Sequence, residues 1–230
     1  YQLRNEPVAP TAPKSKPMTP ANGGTFEDTT SGVKMTIPAN ALGSSSGSGN
    51  VQSKETNNVR QTSTARPLMN YDSANNQYVE VGKEIKATDS SGNNITTLND
   101  SVTVEMTYTK EELAATASGG DSSINTLTEA DDLKMAYWDD TTSNWVTLPS
   151  TITYENSSGA IITDLSTIDT AAEFSSTVYE ITIAGTTDHF SLYAPVVATD
   201  SNAPSTPSNF QAVGSSISSV GLSWSAVSGA

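Results

Sequence analysis

The stretch SVTVEMTY at residues 101–108 alternates apolar and polar side chains with a period of two. Val102, Val104 and Met106 would share one face of an extended chain, with polar residues on the other face. The shorter run VKMTI at residues 33–37 repeats the pattern and is ended by a proline. Both runs predict strands that bury one face and expose the other.

Further short runs continue on both sides at a spacing of roughly ten residues. Strands are predicted at residues 78–81, 85–88, 133–138, 145–148, 160–163, 177–183 and 190–197. A polar turn between 133–138 and 145–148 indicates a hairpin. One helical pattern covers residues 110–117, where Thr109 and Glu112 have the spacing of a capping box. These patterns predict an all-β fold, an antiparallel β-sandwich.

Proline and turn-forming residues divide the chain into three parts. Five prolines between residues 7 and 20 fix φ and remove backbone donors, which predicts a Pro-rich extended linker or arm over residues 1–22. The sandwich domain is placed at residues 23–198, and its Gly/Ser/Asn-rich residues 43–66 predict a long loop or an irregular edge. Residues 199–230 hold a second linker and two further strands, at 209–213 and 220–224.

The composition excludes several classes of function. The chain has 25 acidic and 11 basic residues and a formal net charge of −14. A nucleic acid needs a basic surface and an anionic membrane repels an acidic one, so neither partner is expected. Without cysteine, disulfides, thiol catalysis and cysteine-based zinc sites are excluded. No apolar run approaches the ~20 residues that span a bilayer, so membrane insertion is not expected.

Two parts of the sequence resemble known domain families. Residues 23–42, GGTFEDTTSGVKMTIPANAL, resemble the opening of ZU5-like domains as they occur in microbial surface proteins. The same order continues at residues 103–108, in the hairpin at 137–146 and in DHFSLYA at 188–194. Residues 203–230 resemble the start of a fibronectin type III domain, with Trp224 as its core tryptophan. The resemblances imply a ZU5-like sandwich followed by an incomplete fibronectin type III-like module.

The tripeptide His189-Phe190-Ser191 carries the chemistry that the first resemblance implies. In the animal relatives that pair a ZU5 domain with a following subdomain, a similar His-Phe-Ser is an autoproteolysis site. Carried over, Ser191 would be the nucleophile, His189 the base, and the bond after Phe190 would be cut. The alternative is a closing strand in which Phe190 packs in the core beside two polar neighbours, because a regular strand lacks the strain that cleavage needs. We prefer the second interpretation and expect no enzyme activity.

Other candidate sites are aromatic or acidic. Trp138 and Trp145 could form a sugar-stacking platform, although strand alternation favours core packing and cross-strand pairing. Oxygen ligands for Ca²⁺ could come from two turns or from the domain junction, and the candidates are Asp89, Asn93, Asp139, Asp140 and Asp200. Neither turn has the spacing of an EF-hand, so turn residues in contact with water are preferred and no cofactor is expected. Glycosylation triplets occur at Asn94, Asn99 and Asn156.

These features together predict a structural or spacer module of an extracellular or cell-surface protein, such as an adhesin, fibre or sheath component. Its expected partners are neighbouring modules of the same chain, other copies of the protein, or a surface glycan. A filament subunit completed by strand addition is a further hypothesis. Self-cleavage after Phe190 and glycan- or Ca²⁺-dependent binding are the alternatives.

Overall fold

The structure is a computed structural model that describes residues 13–56, 70–72, 77–79, 82–114, 124, 126–197, 211–216 and 219–223. It divides into two compact units, Tyr1–Ala198 and Thr199–Ala230. The first unit holds nearly all the described elements. In the second unit, the described residues form one two-stranded antiparallel hairpin.

The described elements are fifteen strands and three short helices. The strands are β1 (Lys14–Met18), β2 (Gly24–Asp28), β3 (Val33–Ile37), β4 (Gly49–Thr56), β5 (Asn70–Asp72), β6 (Gln77–Val79), β7 (Gly82–Thr88), β8 (Val102–Thr109), β9 (Leu133–Asp139), β10 (Asn144–Thr147), β11 (Ser150–Glu155), β12 (Glu180–Thr187), β13 (Leu192–Val197), β14 (Gln211–Ser216) and β15 (Ser219–Ser223). The helices are α1 (Lys110–Ala114), α2 (Leu127–Asp131) and α3 (Ala171–Thr177).

Two large antiparallel sheets form the first unit. The six-stranded sheet has the order β1-β4-β7-β13-β9-β10, and the five-stranded sheet has the order β11-β12-β8-β3-β2. The predicted hairpin is present, since β9 and β10 are neighbours and place Trp138 opposite Trp145. The structure confirms the predicted all-β, antiparallel sandwich.

The core is a single apolar layer between the two sheets. In β8 every second residue is buried, from Val102 to Tyr108, and β3 and β12 show the same alternation. Burying a side chain such as Val, Ile, Phe or Met contributes about 1.5–3 kcal/mol. This periodic burial explains why the strands at 33–37 and 101–108 could be located from the sequence.

Two strands occupy stretches that the sequence assigned to a linker and a loop. Residues 14–18, placed in the Pro-rich linker, are extended as expected, but they form β1, the edge strand paired with β4. Residues 49–56, placed in the loop at 43–66, form β4. The prediction of a loop or an irregular edge is wrong for these residues, since β4 is a strand between β1 and β7. The sequence does not reveal it because Val51 is the only large apolar side chain on its inner face, beside Gly49 and Ser53.

Other differences concern the short helices. Each helix starts at a threonine followed three residues later by glutamate, and both residues hydrogen-bond as a capping box. The sequence predicted the first of these, at Thr109 and Glu112, and missed those at Thr126 and Thr170. The strand predicted from residue 177 is wrong in its first residues, because α3 ends there and β12 starts at Glu180. The predicted strand at 160–163 is reduced to one isolated bridge between Glu155 and Ile161.

The two ends of the sandwich are built differently. The connections at 19–23, 38–48, 89–101, 140–143 and 188–191 lie at one end, which we call the loop end. At the opposite end, which we call the helix end, α1 follows β8, α2 precedes β9, and α3 precedes β12. The three short helices are therefore confined to the helix end.

The chain enters and leaves the sandwich at the helix end. The antiparallel pairings of β1 with β4, of β4 with β7 and of β7 with β13 reverse the direction three times. β1 therefore runs from the helix end toward the loop end, and β13 runs back. Two strands separate β1 from β13, which places them about 14 Å apart in the sheet.

Two polar contacts tie the sheets together through the core. The buried carboxylate of Asp28 on β2 accepts hydrogen bonds of 2.7 Å from the hydroxyls of Ser31 and of Ser53, which lies on β4. On β7, the fully buried Lys83 is 2.7 Å from Glu55, and its ammonium group is 5.2 Å from the ring centroid of Tyr108 on β8. Because these charges are paired, the sandwich avoids the cost of an unpaired charge in its core.

Asp28→Asn tests the first of these ties. Burial alone raises the pKa of Asp28, but the hydrogen bonds from Ser31 and Ser53 outweigh it and hold the pKa below its ordinary value. A carboxylate with a depressed pKa stabilises the fold above its unfolded pKa of about 3.9, and the stabilisation is lost as the pH falls through the folded pKa. We expect the variant to be about 1–3 kcal/mol less stable at neutral pH. The difference should shrink below about pH 4.

Denaturant unfolding of both proteins across the acidic range measures this difference. Asp164→Asn is the matched control, because Asp164 is exposed and accepts its 2.6 Å hydrogen bond from Ser166 at the surface. Equal losses in the two variants, or a loss for Asp28→Asn that does not change with pH, would contradict the assignment.

Candidate functional site

The sequence candidates within the described residues gather at the loop end. The turn with Asp89 and Asn93, the turn with Asp139 and Asp140, and the corner at 188–191 follow or precede neighbouring strands of the six-stranded sheet. Backbone hydrogen bonds lock the loops together, from Leu98 N to Asp188 O, Asn99 N to Ala41 O, Asn40 N to Pro20 O and Ala21 N to Ser45 O. A rigid scaffold that positions loops is where binding residues are commonly found. The candidate Asp200 lies outside the described residues.

His189 lies in the corner between β12 and β13, outside either strand. Its Nδ1 is 2.7 Å from the carboxylate of Asp188, and its ring meets Tyr137 edge-on with centroids 3.9 Å apart. The hydrogen bond from His189 lowers the pKa of Asp188, and burial raises the pKa of Tyr137. The backbone carbonyl of His189 accepts hydrogen bonds from the hydroxyls of Tyr193 and Thr187. These contacts fix the corner on both sheets.

The side chains of Ser191 and His189 have different hydrogen-bond partners. Its hydroxyl donates to the backbone carbonyl of Trp138, and its own carbonyl accepts a 2.9 Å hydrogen bond from the backbone of Ile85. The two side chains would share a face in a strand, but this segment is a bend, and they have different partners. Phe190 is half-buried and packs against the core. The autoproteolysis hypothesis makes Ser191 the nucleophile and His189 the base. In the structure, no hydrogen bond joins their side chains.

We expect the chain to remain intact at this corner. Autoproteolysis needs a base in contact with the attacking hydroxyl, and the Ser191 hydroxyl instead donates to a carbonyl oxygen. Intact mass spectrometry of freshly purified, denatured protein should give a single species of 24.0 kDa. Two fragments that divide after Phe190, absent from the Ser191→Ala variant, would establish self-cleavage.

Trp138 and Trp145 form an edge-on pair with ring centroids 5.6 Å apart. Both indoles are buried, with 7% and 5% of their surface exposed. The indole nitrogen of Trp138 donates a 2.9 Å hydrogen bond to Asp140. Stacking against a sugar needs an open ring face, and this pair presents almost none. Their packing agrees with the cross-strand interpretation of the hairpin.

The acidic turn residues bind their own backbones. Asp89 accepts hydrogen bonds from the backbone NH groups of Ser91 and Asn93, at 2.8 and 2.9 Å. Asp139 accepts one of 2.8 Å from the backbone of Thr141 and another of 2.8 Å from the hydroxyl of Thr142. The side chain of Asn93 lowers the pKa of Asp89, and that of Thr142 lowers the pKa of Asp139. Within the described ranges, no three His, Cys, Asp or Glu side chains are grouped as metal ligands.

We expect Ca²⁺ to leave the thermal stability of the protein unchanged. The carboxylates of Asp89 and Asp139 already accept the hydrogen bonds that close their turns, and a cation would have to replace these bonds. The measurement is the melting temperature in Ca²⁺, in Mg²⁺ of the same concentration, and in a chelator. A rise specific to Ca²⁺ that disappears in Asp139→Asn or Asp89→Asn would contradict this expectation.

A cleft of about 480 Å³ brings together three of the predicted groups. Trp138 and Asp140 from the hairpin, Phe190 and Ser191 from the corner, and Asn94 from the first turn line it. Sequence reasoning missed its remaining polar lining, which comes from Lys54, Thr56, Glu84, Lys86 and Thr96. The sequence of β7 could have indicated this polar lining, because Glu84 and Lys86 alternate with the apolar residues Ile85 and Ala87, which are buried. The volume is within the range of small-ligand pockets.

The glycosylation triplets lie on the surface of the first unit. Asn94 and Asn99 are exposed beside the loop end. Asn156 lies in the turn after β11, where its side-chain oxygen accepts hydrogen bonds from Ser158 and Ala160. The amide of Asn99 donates to the carbonyl of Asn40 at 3.3 Å. Each triplet is therefore on a turn or a loop, as an acceptor site requires.

No described helix has the length and apolar character that crossing a membrane requires. The ZU5-like and fibronectin type III-like resemblances stay predictions that rest on their sequence motifs. No family model, no curated protein and no solved structure matches the chain.

Proposed function

We propose that the sandwich is a non-enzymatic structural module of an extracellular or cell-surface protein, which projects from the parent chain and presents its loop end. The observation that carries the proposal is the direction of β1 and β13. Because β1 begins and β13 ends at the helix end, both connections of the sandwich to the rest of the chain are made at that end. The loop end, with its interlocked loops, carries neither connection.

This geometry favours a projecting module over an in-line spacer. An in-line spacer has its chain ends at opposite ends of the fold, so that modules follow one another along a rod. Here β1 and β13 are about 14 Å apart and antiparallel. Segments that continue from them leave from the same end of the sandwich. Within the structural role, we therefore favour presentation over spacing.

The outer face of the five-stranded sheet supports a role in an aqueous environment. Cross-strand pairing aligns four threonines into one row across four strands, namely Thr25, Thr36, Thr103 and Thr186. The next row pairs Lys34 with Glu105 through a 2.9 Å salt bridge, with Glu27 beside them. Polar β-formers on the outside and apolar residues on the inside are typical of a sheet that faces water on one side. The net charge of −14 favours solubility.

The family resemblances give the proposal its biological setting. The first resemblance is to ZU5-like domains as they occur in microbial surface proteins, and the described residues of the second unit form the two strands β14 and β15. The absence of cysteine is compatible with a fold whose stability comes from its sheet core and its paired buried charges. Neighbouring modules, other copies and surface glycans are the partners that we propose.

Cysteine accessibility on intact cells that produce the protein tests both parts of the proposal. The chain has no cysteine, so a single serine-to-cysteine variant has no background. Ser91→Cys reports on the loop end and Ser176→Cys on the helix end, and both serines are exposed in the free module. We expect a membrane-impermeant maleimide to label Ser91→Cys quickly and Ser176→Cys more slowly, because the helix end faces the parent protein.

The purified proteins provide the control, since both variants should react at the same rate in solution. Labelling only after the cells are permeabilised would overturn the extracellular role. Fast and equal labelling on intact cells would leave that role standing and would overturn the orientation.

A further inference from the structure

β1 is held at the edge of the sandwich by few buried contacts. Its five residues pair with β4, but four of them are exposed, and Met18 is the one side chain that the core buries. Most of its attachment is therefore the ladder of backbone hydrogen bonds on one side. An edge strand of this kind can separate at a smaller cost than a central strand such as β8, whose inner side chains are all buried.

The inner face of β1 carries two lysines. Lys14, Lys16 and Met18 lie opposite Ser53, Val51 and Gly49 on the inner face of β4. The ammonium group of Lys14 is 4.0 Å from the buried carboxylate of Asp28, and that of Lys16 donates a 2.6 Å hydrogen bond to the carbonyl of Thr25. Beneath the start of β1 remains a cavity of about 330 Å³, lined by Asp28, Ser31 and Ser53 among others. β1 thus closes the edge of the sandwich without filling it.

A tight turn joins β1 to β2. The carbonyl of Thr19 accepts hydrogen bonds from the backbones of Asn22 and Gly23, at 3.0 and 3.1 Å. Gly23 has φ +61°, and a Cβ there would lie 2.2 Å from the carbonyl oxygen of Ile37. The turn depends on glycine at this position, and it is the one segment that must open if β1 is to leave its place.

We propose that β1 exchanges between two copies of this chain, so that each β1 pairs with β4 of the other copy and a two-fold dimer results. Every contact of β1 with its own β4, Asp28 and Thr25 is reproduced in the other copy, so the exchange loses the turn at 19–23 and the two backbone hydrogen bonds that join this turn to the loop at 38–48. Protein concentration and the stability of that turn then set the balance between monomer and dimer. The proposal is independent of the cell-surface role.

The two lysines make the exchange selective. On an unrelated sheet edge, the two inner-face ammonium groups would lack these polar partners, and this disfavours the pairing. A second copy offers Asp28 and the carbonyl of Thr25 at the matching positions. The same residues that protect the edge from unspecific pairing therefore favour a copy of the same chain.

Disulfide trapping between two single-cysteine variants tests the exchange. Ser15 lies directly opposite Gln52, and the chain has no cysteine of its own. Ser15→Cys and Gln52→Cys proteins are mixed, warmed close to the unfolding midpoint, cooled and oxidised. A disulfide between the two different proteins forms efficiently only if β1 of one copy pairs with β4 of the other. We expect the mixed dimer to exceed both like-with-like dimers severalfold.

Lys34→Cys and Glu105→Cys form the matched control pair. These residues are also directly opposite on an outer face, but they lie on β3 and β8, which are central strands that cannot exchange alone. A mixed dimer no more abundant than that of the control pair would count against the exchange. The double variant Ser15→Cys/Gln52→Cys verifies that the disulfide can form, because it should cross-link within one chain.

The oligomeric state provides a second, independent readout. After the same warming cycle at high concentration, the wild-type chain should show a dimer of twice 24.0 kDa, and Gly23→Ala should raise the dimer fraction because alanine does not fit the closed turn. Circular dichroism verifies that the variant is folded. If the wild-type chain is monomeric at every concentration and no mixed disulfide forms, the proposal is wrong, whatever the behaviour of Gly23→Ala.

Discussion

The apolar layer shared by the two sheets is the constraint on which the rest of the structure depends. The chain has no disulfide to hold the sheets together, so each strand has to bury its inner side chains there. A polar group buried in this layer must be hydrogen-bonded or ion-paired. Asp28 is satisfied by two serines, and Lys83 by Glu55 and the face of Tyr108. A shift of one sheet against the other would leave a buried polar group without its partner and would lower the stability of the fold. These contacts therefore also fix how the sheets align.

A strand could be predicted from the sequence when apolar and polar side chains alternate regularly along it. VKMTI at 33–37 was located to the residue, because all three of its inner positions are apolar. β4 was missed, since its inner face combines Val51 with glycine and serine, and its composition is that of a loop. β1 carries lysines on its inner face and a proline, a pattern that signals a linker in sequence. Only its pairing with β4 shows that it is a strand.

The candidate site was predicted in its parts and not in its geometry. The turn residues were identified in two separate turns, but the meeting of these turns with the corner at one cleft depends on contacts that span the sequence. Residues 189 and 191 would face the same side in a strand, yet the crossover from one sheet to the other bends the chain at this point. As a result Ser191 reaches the carbonyl of Trp138, 53 residues away, while His189 turns to Asp188. No local pattern records such a contact.

The position at which the chain enters and leaves also determines how the module responds to tension. A force applied through β1 and β13 pulls at one end of the six-stranded sheet and acts across the strands. Hydrogen bonds loaded in this direction break one after another, whereas bonds sheared along a strand resist together. β1 would peel from β4 first, beginning at Lys14. In a protein under mechanical stress, the sandwich would therefore yield early and lengthen the chain, and it would act as an extensible element.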